Sequence, residues 1–220
     1  MTLKKQTARF VLNASILLAI FISLFSSPIS ALAMDGNADT LPGFTEFSES
    51  VQNGDVSTLR GVYVPDVFAL PIVQQPSNNS GYVSNKDGEL TQFNMAAKYG
   101  NVGLLAHNHL SGKLFSDIAV GQEIRLVYGD GRVEYFVVTE VLRYQALQPN
   151  SPWSSFRDLE TDEKLSAGQM FKRVYFGDHH VTFQTCIEQN GELSWGRLFI
   201  IAVPKVQNAS YNFSKQTIMQ

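Results

Sequence analysis

Cys186 is the strongest candidate nucleophile of this sequence, and it is the one cysteine among 220 residues. A cysteine thiolate attacks carbonyl carbon readily, so it suits acyl-transfer chemistry. Exported proteins usually carry cysteines in pairs that form disulfides, and the N-terminal sequence described below indicates export. An unpaired cysteine then has two interpretations, a reactive thiol or an inert thiol that packs like a small apolar residue. The number of cysteines alone does not decide between these two interpretations.

Two further residues have side chains that could help a thiolate to cleave an amide. His107 ends the apolar run 103–106 and, as an imidazolium, can protonate the leaving amine. Arg197 carries a permanent charge and forked donors that suit an oxyanion or a substrate carbonyl. An arginine taken alone is more often a solvated surface residue, so its role depends on where the strands position it.

The remaining histidines are His109, His179 and His180. His109 competes with His107 for the catalytic role, and we favour His107 because the apolar run stops there. His109 is then a loop residue or a neighbour of His107. Histidines can bind zinc, but these two pairs lie in separate segments and lack the His-Glu-x-x-His spacing of a helical metal site. We therefore predict neither a metal nor another cofactor.

Short runs of Val, Ile, Phe and Tyr between turn dipeptides predict the strands that position these side chains. A hairpin with strands over 181–188 and 194–203 carries both Cys186 and Arg197. If its Asn-Gly dipeptide forms a tight turn, Trp195 lies opposite Cys186. Arg197 then reaches the cysteine along a diagonal, which its long side chain can span.

The rest of the sequence indicates a mainly β fold. We predict a short turn of helix over 94–99 and a longer helix over 161–171, opened by the cap-like Thr161. Many short strands with few helices are typical of a closed barrel or a sandwich. Further strands are predicted over 60–64, 67–73, 103–106, 123–128 and 133–141.

Residues 1–33 have the pattern of a secretory signal, with a basic start, an apolar run and small residues at Ala31 and Ala33. We expect cleavage after Ala33 and an exported protein, extracellular or at the cell surface. The alternative is an uncleaved anchor, because the apolar run extends to roughly the 20 residues that cross a bilayer. Contact with the membrane depends on retention of this segment.

Composition and organisation exclude some functions for the remaining chain. We predict a linker or N-terminal arm over 34–56, one catalytic domain over 57–206 and a tail over 207–220. The formal charge of the whole chain is −3 at pH 7, and the basic residues of the signal lie outside the mature part. No basic surface for nucleic acid is expected.

The residues around the three candidates resemble the sortase family over roughly 59–204. That family has a strand ending in Gly-His, a Thr-Leu-x-Thr-Cys strand and an arginine on the next strand. The corresponding segments here are Ala106-His107, the run 182–186 that ends at Cys186, and Arg197. The sequence departs from this pattern at two positions: Ala106 replaces the family's Gly before the histidine, and Phe183 replaces its Leu. Neither substitution changes a reacting atom.

The resemblance implies a closed eight-stranded β-barrel with one or two short helices, and a cysteine transpeptidase. In such an enzyme Cys186 attacks a carbonyl of a sorting-signal peptide to form a thioester, and an amine acceptor releases the product. His107 is implied as general acid and base, and Arg197 as the group that stabilises the oxyanion or the substrate.

The family's long loop before the cysteine strand helps to hold the peptide. It corresponds here to 145–156, so Trp153 and Phe156 are candidate substrate-binding residues, together with Thr185 and Trp195. Packing of the loop onto the barrel is the alternative for the first two. Two other functions stay open: an exported cysteine peptidase or hydrolase that uses water as acceptor, and a non-catalytic binding protein with a sortase fold.

Overall fold

The computed structural model describes residues 41–206, in which ten strands form one sheet. The predicted signal over 1–33 and the predicted tail over 207–220 lie outside these described residues. The strands are β1 Leu59–Val64, β2 Phe68–Gln74, β3 Leu90–Gln92, β4 Val102–Leu105, β5 Glu123–Tyr128, β6 Val133–Ala146, β7 Phe156–Asp158, β8 Lys164–Leu165, β9 Val181–Gln189 and β10 Glu192–Pro204.

Strand β6 closes the sheet on itself. Residues 133–137 of β6 pair with β5 and residues 136–145 pair with β10, while the other strands follow in the order β10, β9, β4, β3, β2, β1, β5. The closed ring contains all ten strands except β7 and β8, which makes eight. Closure satisfies the hydrogen-bonding groups of what would otherwise be two edge strands. The predicted closed eight-stranded barrel is confirmed.

The interior of the barrel is filled by aromatic and branched apolar side chains. Phe68, Phe115 and Phe183 contact one another there, with ring centroids 5.3 to 6.4 Å apart. Phe115 belongs to the 3-10 helix Ser111–Asp117, which therefore packs its apolar side against the interior. This packing anchors the segment that begins four residues after His107.

Three short α-helices complete the described chain: α1 Phe44–Val51, α2 Asn94–Ala97 and α3 Ala167–Tyr175. None of the helices within residues 41–206 is long and apolar enough to cross a bilayer. The short helical turn predicted near residue 94 corresponds to α2.

Helix α1 differs from the loosely packed arm expected for this region. Phe47 is buried, and its ring lies 5.9 Å from that of Tyr63 in β1. The ring occupies the space above Gly61, where a Cβ atom would come within 2.9 Å of Phe47. Because Gly61 has no side chain, the Phe47 ring can pack on the strand there, and this contact holds the helix against β1.

Helix α3 also differs from its prediction, because it begins at Ala167 and not at residue 161. Ser166 caps it through a reciprocal capping box with Gln169, which satisfies backbone donors at the helix start. Residues Lys164–Leu165 instead form β8, which pairs with β7. The prediction used Thr161 as the helix cap, but the capping residue is Ser166, five positions later.

Candidate active site

Strands β9 and β10 bring Arg197 directly opposite Cys186. Residues opposite each other on antiparallel strands have Cβ atoms about 5 Å apart and share one face of the sheet. The predicted register, with Trp195 opposite the cysteine, was wrong. Between the pairs at Glu192 and Gly196, β10 contains three residues where β9 contains one, so a bulge shifts the register. Trp195 lies in that bulge.

His107 follows β4, which runs parallel to β9 on the other side of the cysteine. The last pair of this ladder is Leu105 with Gln184, and the next backbone N–H, that of Ala106, donates to the Gln184 carbonyl at 3.3 Å. Extended two positions beyond its last pair, the ladder would place His107 beside Cys186. Cys186 and Arg197 therefore lie on neighbouring strands, and His107 follows the end of the strand on the other side of β9.

The cysteine and arginine side chains share the outer face of the barrel. Side chains of Thr182 and Gln184 hydrogen-bond to α3 on this face, at 2.6 Å each, whereas Phe183 is buried inside. Cys186 continues the outward alternation of the strand. Arg197 shares its face because it lies directly opposite.

The alternation of β4 gives His107 the same orientation. Leu104 and Ala106 belong to the interior cluster, so the intervening and following positions point outward. Cys186, His107 and Arg197 are all partly buried, which suits groups at the floor of a groove.

The imidazole of His107 is held in an environment that favours its neutral form. Burial lowers the pKa of His107, and the nearby His109 lowers it further, while a hydrogen bond with the Val83 backbone acts in the opposite direction. The rings of His107 and His109 are stacked, with centroids 5.4 Å apart and an interplanar angle of 26°. His109 is thus a direct neighbour of His107.

The guanidinium of Arg197 is held by its own strand. Its Nη1 atom donates to the carbonyl of Ser194 at 2.9 Å and to that of Gly196 at 2.8 Å. Both bonds use one nitrogen. The bulge therefore not only sets the register of Arg197 but also supplies one of the carbonyl groups that orient its side chain.

An apolar cavity of about 200 Å³ lies beside Arg197, between α3 and the sheet. The side chains that line it are mostly aromatic or aliphatic, and Gln184 and Arg197 provide its polar edge. Its walls include Phe156, Met170, Phe171, Tyr175 and Phe199. A second cavity of about 370 Å³ has Cys186 in its wall and is more polar, with Asn108, Lys113 and Glu188 among its lining residues.

The four predicted substrate-binding residues have different positions. Phe156 lines the apolar cavity. Trp153 is 82% exposed, and it is not part of that cavity's wall. Thr185 is buried, and its hydroxyl donates to the Ala106 carbonyl at 2.8 Å, so it ties β9 to the histidine segment. Trp195 lies in the bulge of β10.

His179 and His180 lie at the opposite end of β9 from Cys186. Both histidines instead contact the two residues just before β4. The backbone N–H of His180 donates to the Asn101 side-chain oxygen at 2.8 Å, and the His179 Nδ1 atom lies 2.7 Å from the Gly100 carbonyl oxygen. The two histidine pairs therefore occupy opposite ends of the parallel β4 and β9 strands. Within residues 41–206, no group of three or more His, Cys, Asp or Glu side chains has the arrangement of a metal site.

Sequence reasoning missed two residues that shape the site, Asn108 and Gly112. Asn108 donates from its side chain to the Leu193 carbonyl at 2.9 Å. Gly112 donates its backbone N–H to the His107 carbonyl at 3.0 Å. Neither residue type forms a recognisable motif, and both contacts join segments that are distant in sequence.

No family model matches the sequence, and no curated protein matches it. Among solved structures, sortase A from Listeria monocytogenes is 14% identical, with a TM-score of 0.44, over 69% of this chain and 89% of that chain. A sortase from Actinomyces oris is 15% identical, with a TM-score of 0.44, over 70% and 83%. Sortase C from Clostridium perfringens, with its C-terminal cell wall sorting motif, is 16% identical, with a TM-score of 0.44, over 71% and 74%.

Replacement of Gly112 by alanine should destabilise the histidine segment. A Cβ atom there would lie 2.7 Å from the His107 carbonyl oxygen and 2.8 Å from that of Ala106. Overpacking of this kind costs about 1–3 kcal/mol, which for a domain of this size lowers the melting temperature by about 2–12 °C. Gly168→Ala is the control, since its Cβ would meet nothing within 4 Å. Equal melting of Gly112→Ala and the wild type would contradict the packing argument.

Replacement of His109 by glutamine should raise the pKa of His107. The change removes the electrostatic effect of the stacked His109 imidazole, which lowers the pKa of His107 in the wild type. His107 should therefore keep its proton to higher pH in the variant, as measured by an NMR titration of the imidazole. His179→Gln, at the far end of β9, should leave it unchanged. A His107 titration that stays in place or moves to lower pH in His109→Gln would disprove the coupling.

Proposed function

We propose that this chain is an exported, sortase-like cysteine transpeptidase. Cys186 would form a thioester with a sorting-signal peptide, and an amine acceptor would then release the acyl group. The observation that carries the proposal is the direct opposition of Cys186 and Arg197 on β9 and β10, with His107 just beyond the end of β4 on the other side of β9. Together with the sequence resemblance, this geometry supports acyl transfer by these three residues.

The acylation step divides among the three side chains. The Cys186 thiolate attacks the peptide carbonyl carbon, and the carbonyl π electrons move onto oxygen to form a tetrahedral oxyanion. Arg197 stabilises this charge with its guanidinium. His107, as the imidazolium, protonates the leaving amine as the C–N bond breaks, which leaves a thioester and a neutral imidazole.

The release step uses the same groups in the reverse direction. An amine attacks the thioester carbon, neutral His107 accepts its proton, and the C–S bond breaks to restore the thiolate. The lowered pKa of His107 favours this deacylation step, because it increases the fraction of neutral base at a given pH. It disfavours acylation, which needs the protonated ring, so acylation should fall as the pH rises above the pKa of His107.

The apolar cavity beside Arg197 supports an apolar side chain as the recognised feature of the peptide. It adjoins Gln184 and Arg197, whose polar groups can bind the peptide backbone while Phe156 and Phe199 surround the apolar side chain. The segment between β6 and β9 supplies much of the wall, including α3. This segment would therefore set the sequence preference of the enzyme.

Thioester formation is the test of this proposal. Incubation of the wild type with peptides that carry sorting signals should yield an acyl-enzyme adduct by intact mass, and Cys186→Ala should yield none. Arg197→Gln should form the adduct about 10²-fold or more slowly, because one stabilising donor group is lost from the oxyanion. Arg132→Gln, on the exposed β5–β6 turn, is the matched control and should behave like the wild type. An Arg197→Gln rate equal to that of the wild type would remove the arginine from the mechanism.

The products separate the proposed activity from its alternatives. With a small amine added, a transpeptidase gives an amide product in preference to the free acid. Free acid alone, with and without the amine, would identify a hydrolase. Absence of any adduct, together with reversible peptide binding, would identify a non-catalytic binding protein.

A further inference from the structure

The side chain of Asn108 connects two segments of the site that the sheet itself does not join. Its Nδ2 atom donates to the carbonyl of Leu193 at 2.9 Å. Asn108 follows His107 at the end of β4, whereas Leu193 belongs to β10, and β9 lies between these strands. The hydrogen bond therefore crosses the sheet beyond the end of the β4–β9 ladder.

The histidine end of this connection is rigid. The carbonyl of His107 accepts the backbone N–H groups of Leu110 and Gly112, each at 3.0 Å. The chain therefore turns tightly after His107, and the Asn108 backbone is fixed within that turn. The hydrogen bond from the Asn108 side chain therefore fixes the Leu193 carbonyl relative to this turn.

The other end is the bulge that orients the arginine. Leu193 and Ser194 lie between the β9–β10 pairs at Glu192 and Gly196, where no strand partners align them. The Ser194 carbonyl accepts one of the hydrogen bonds from Arg197. The ladder does not fix these residues, and two side chains contact them instead: the Glu192 carboxylate accepts the Ser194 backbone N–H at 2.9 Å, and Asn108 donates to the Leu193 carbonyl.

We propose that Asn108 is a positioning residue that sets the separation of His107 and Arg197 on either side of Cys186. This inference rests on the proposed function for its catalytic consequence. Asn108 acts through the Leu193 carbonyl and the bulge, and not by contact with the reacting atoms. Loss of its donor should lower the rate of thioester formation more than peptide binding, since misplacement by about 1 Å can cost up to a hundredfold in rate.

Asn108→Asp tests the donor without a change of shape. An ionised carboxylate cannot donate to the Leu193 carbonyl, so kcat for thioester formation at neutral pH should fall about tenfold or more, with KM little changed. Relative to the wild type at the same pH, activity should recover as the pH falls through about 4, because a protonated carboxyl can donate again. Asn78→Asp introduces the same charge at an exposed loop position and should match the wild type at every pH.

Trp195 provides a measurement that does not depend on activity. The chain has two tryptophans, so Trp153→Phe leaves Trp195, in the bulge, as the single tryptophan, which can be excited selectively at about 295 nm, apart from the tyrosines. In this background Asn108→Asp should change the emission maximum and acrylamide quenching of Trp195 at neutral pH, and acidification should reverse the change. Asn78→Asp should produce neither effect.

The two measurements distinguish failure of this inference from failure of the proposed function. Wild-type kinetics in Asn108→Asp, or a loss of activity without the pH-dependent recovery, would overturn the positioning role. If the wild type forms no thioester, the proposed function fails, and the Trp195 signal still decides whether Asn108 holds the bulge. An unchanged Trp195 signal would overturn the inference in either case.

Discussion

The pairing of β9 with both of its neighbours is the constraint on which the site depends. Extended beyond its last pair, its parallel ladder with β4 would place His107 beside Cys186, and its antiparallel ladder with β10 brings Arg197 opposite the cysteine. A shift by one residue in either ladder would turn a candidate catalytic side chain to the other face of the sheet. The buried interior side chains of β9, such as Val181 and Phe183, resist such a shift because it would expose them.

The sequence allowed prediction of the strands better than prediction of their exact register. Alternating apolar residues and Asn-Gly or Asp-Gly turns mark the hairpins, because those signals are local. The bulge before Gly196 has no such local signal, and it changed the partner of Cys186 from Trp195 to Arg197. This register strengthens the proposed site, because Arg197 lies directly opposite Cys186 instead of diagonally across from it.

Other differences also arise where distant contacts override local preference. The segment that contains Phe47 lacks a long helical pattern, yet it forms α1 because Gly61 leaves room for the aromatic ring. Thr185 belongs to the cysteine motif and suggested substrate contact, but its hydroxyl bonds to the Ala106 carbonyl. Such roles depend on which strands become neighbours, and a single sequence does not specify this.

The origin of the apolar cavity has a consequence for how specificity can diverge. Phe156, Met170, Phe171 and Tyr175 all belong to the one segment that connects β6 with β9, whereas the groups proposed to do the chemistry belong to barrel strands or their ends. Substitutions or changes of length in that connection can alter the cavity proposed to hold a substrate side chain while the ladders of the barrel stay intact. The proposed recognition and the proposed chemistry are thus encoded in separable stretches of the gene and can evolve at different rates.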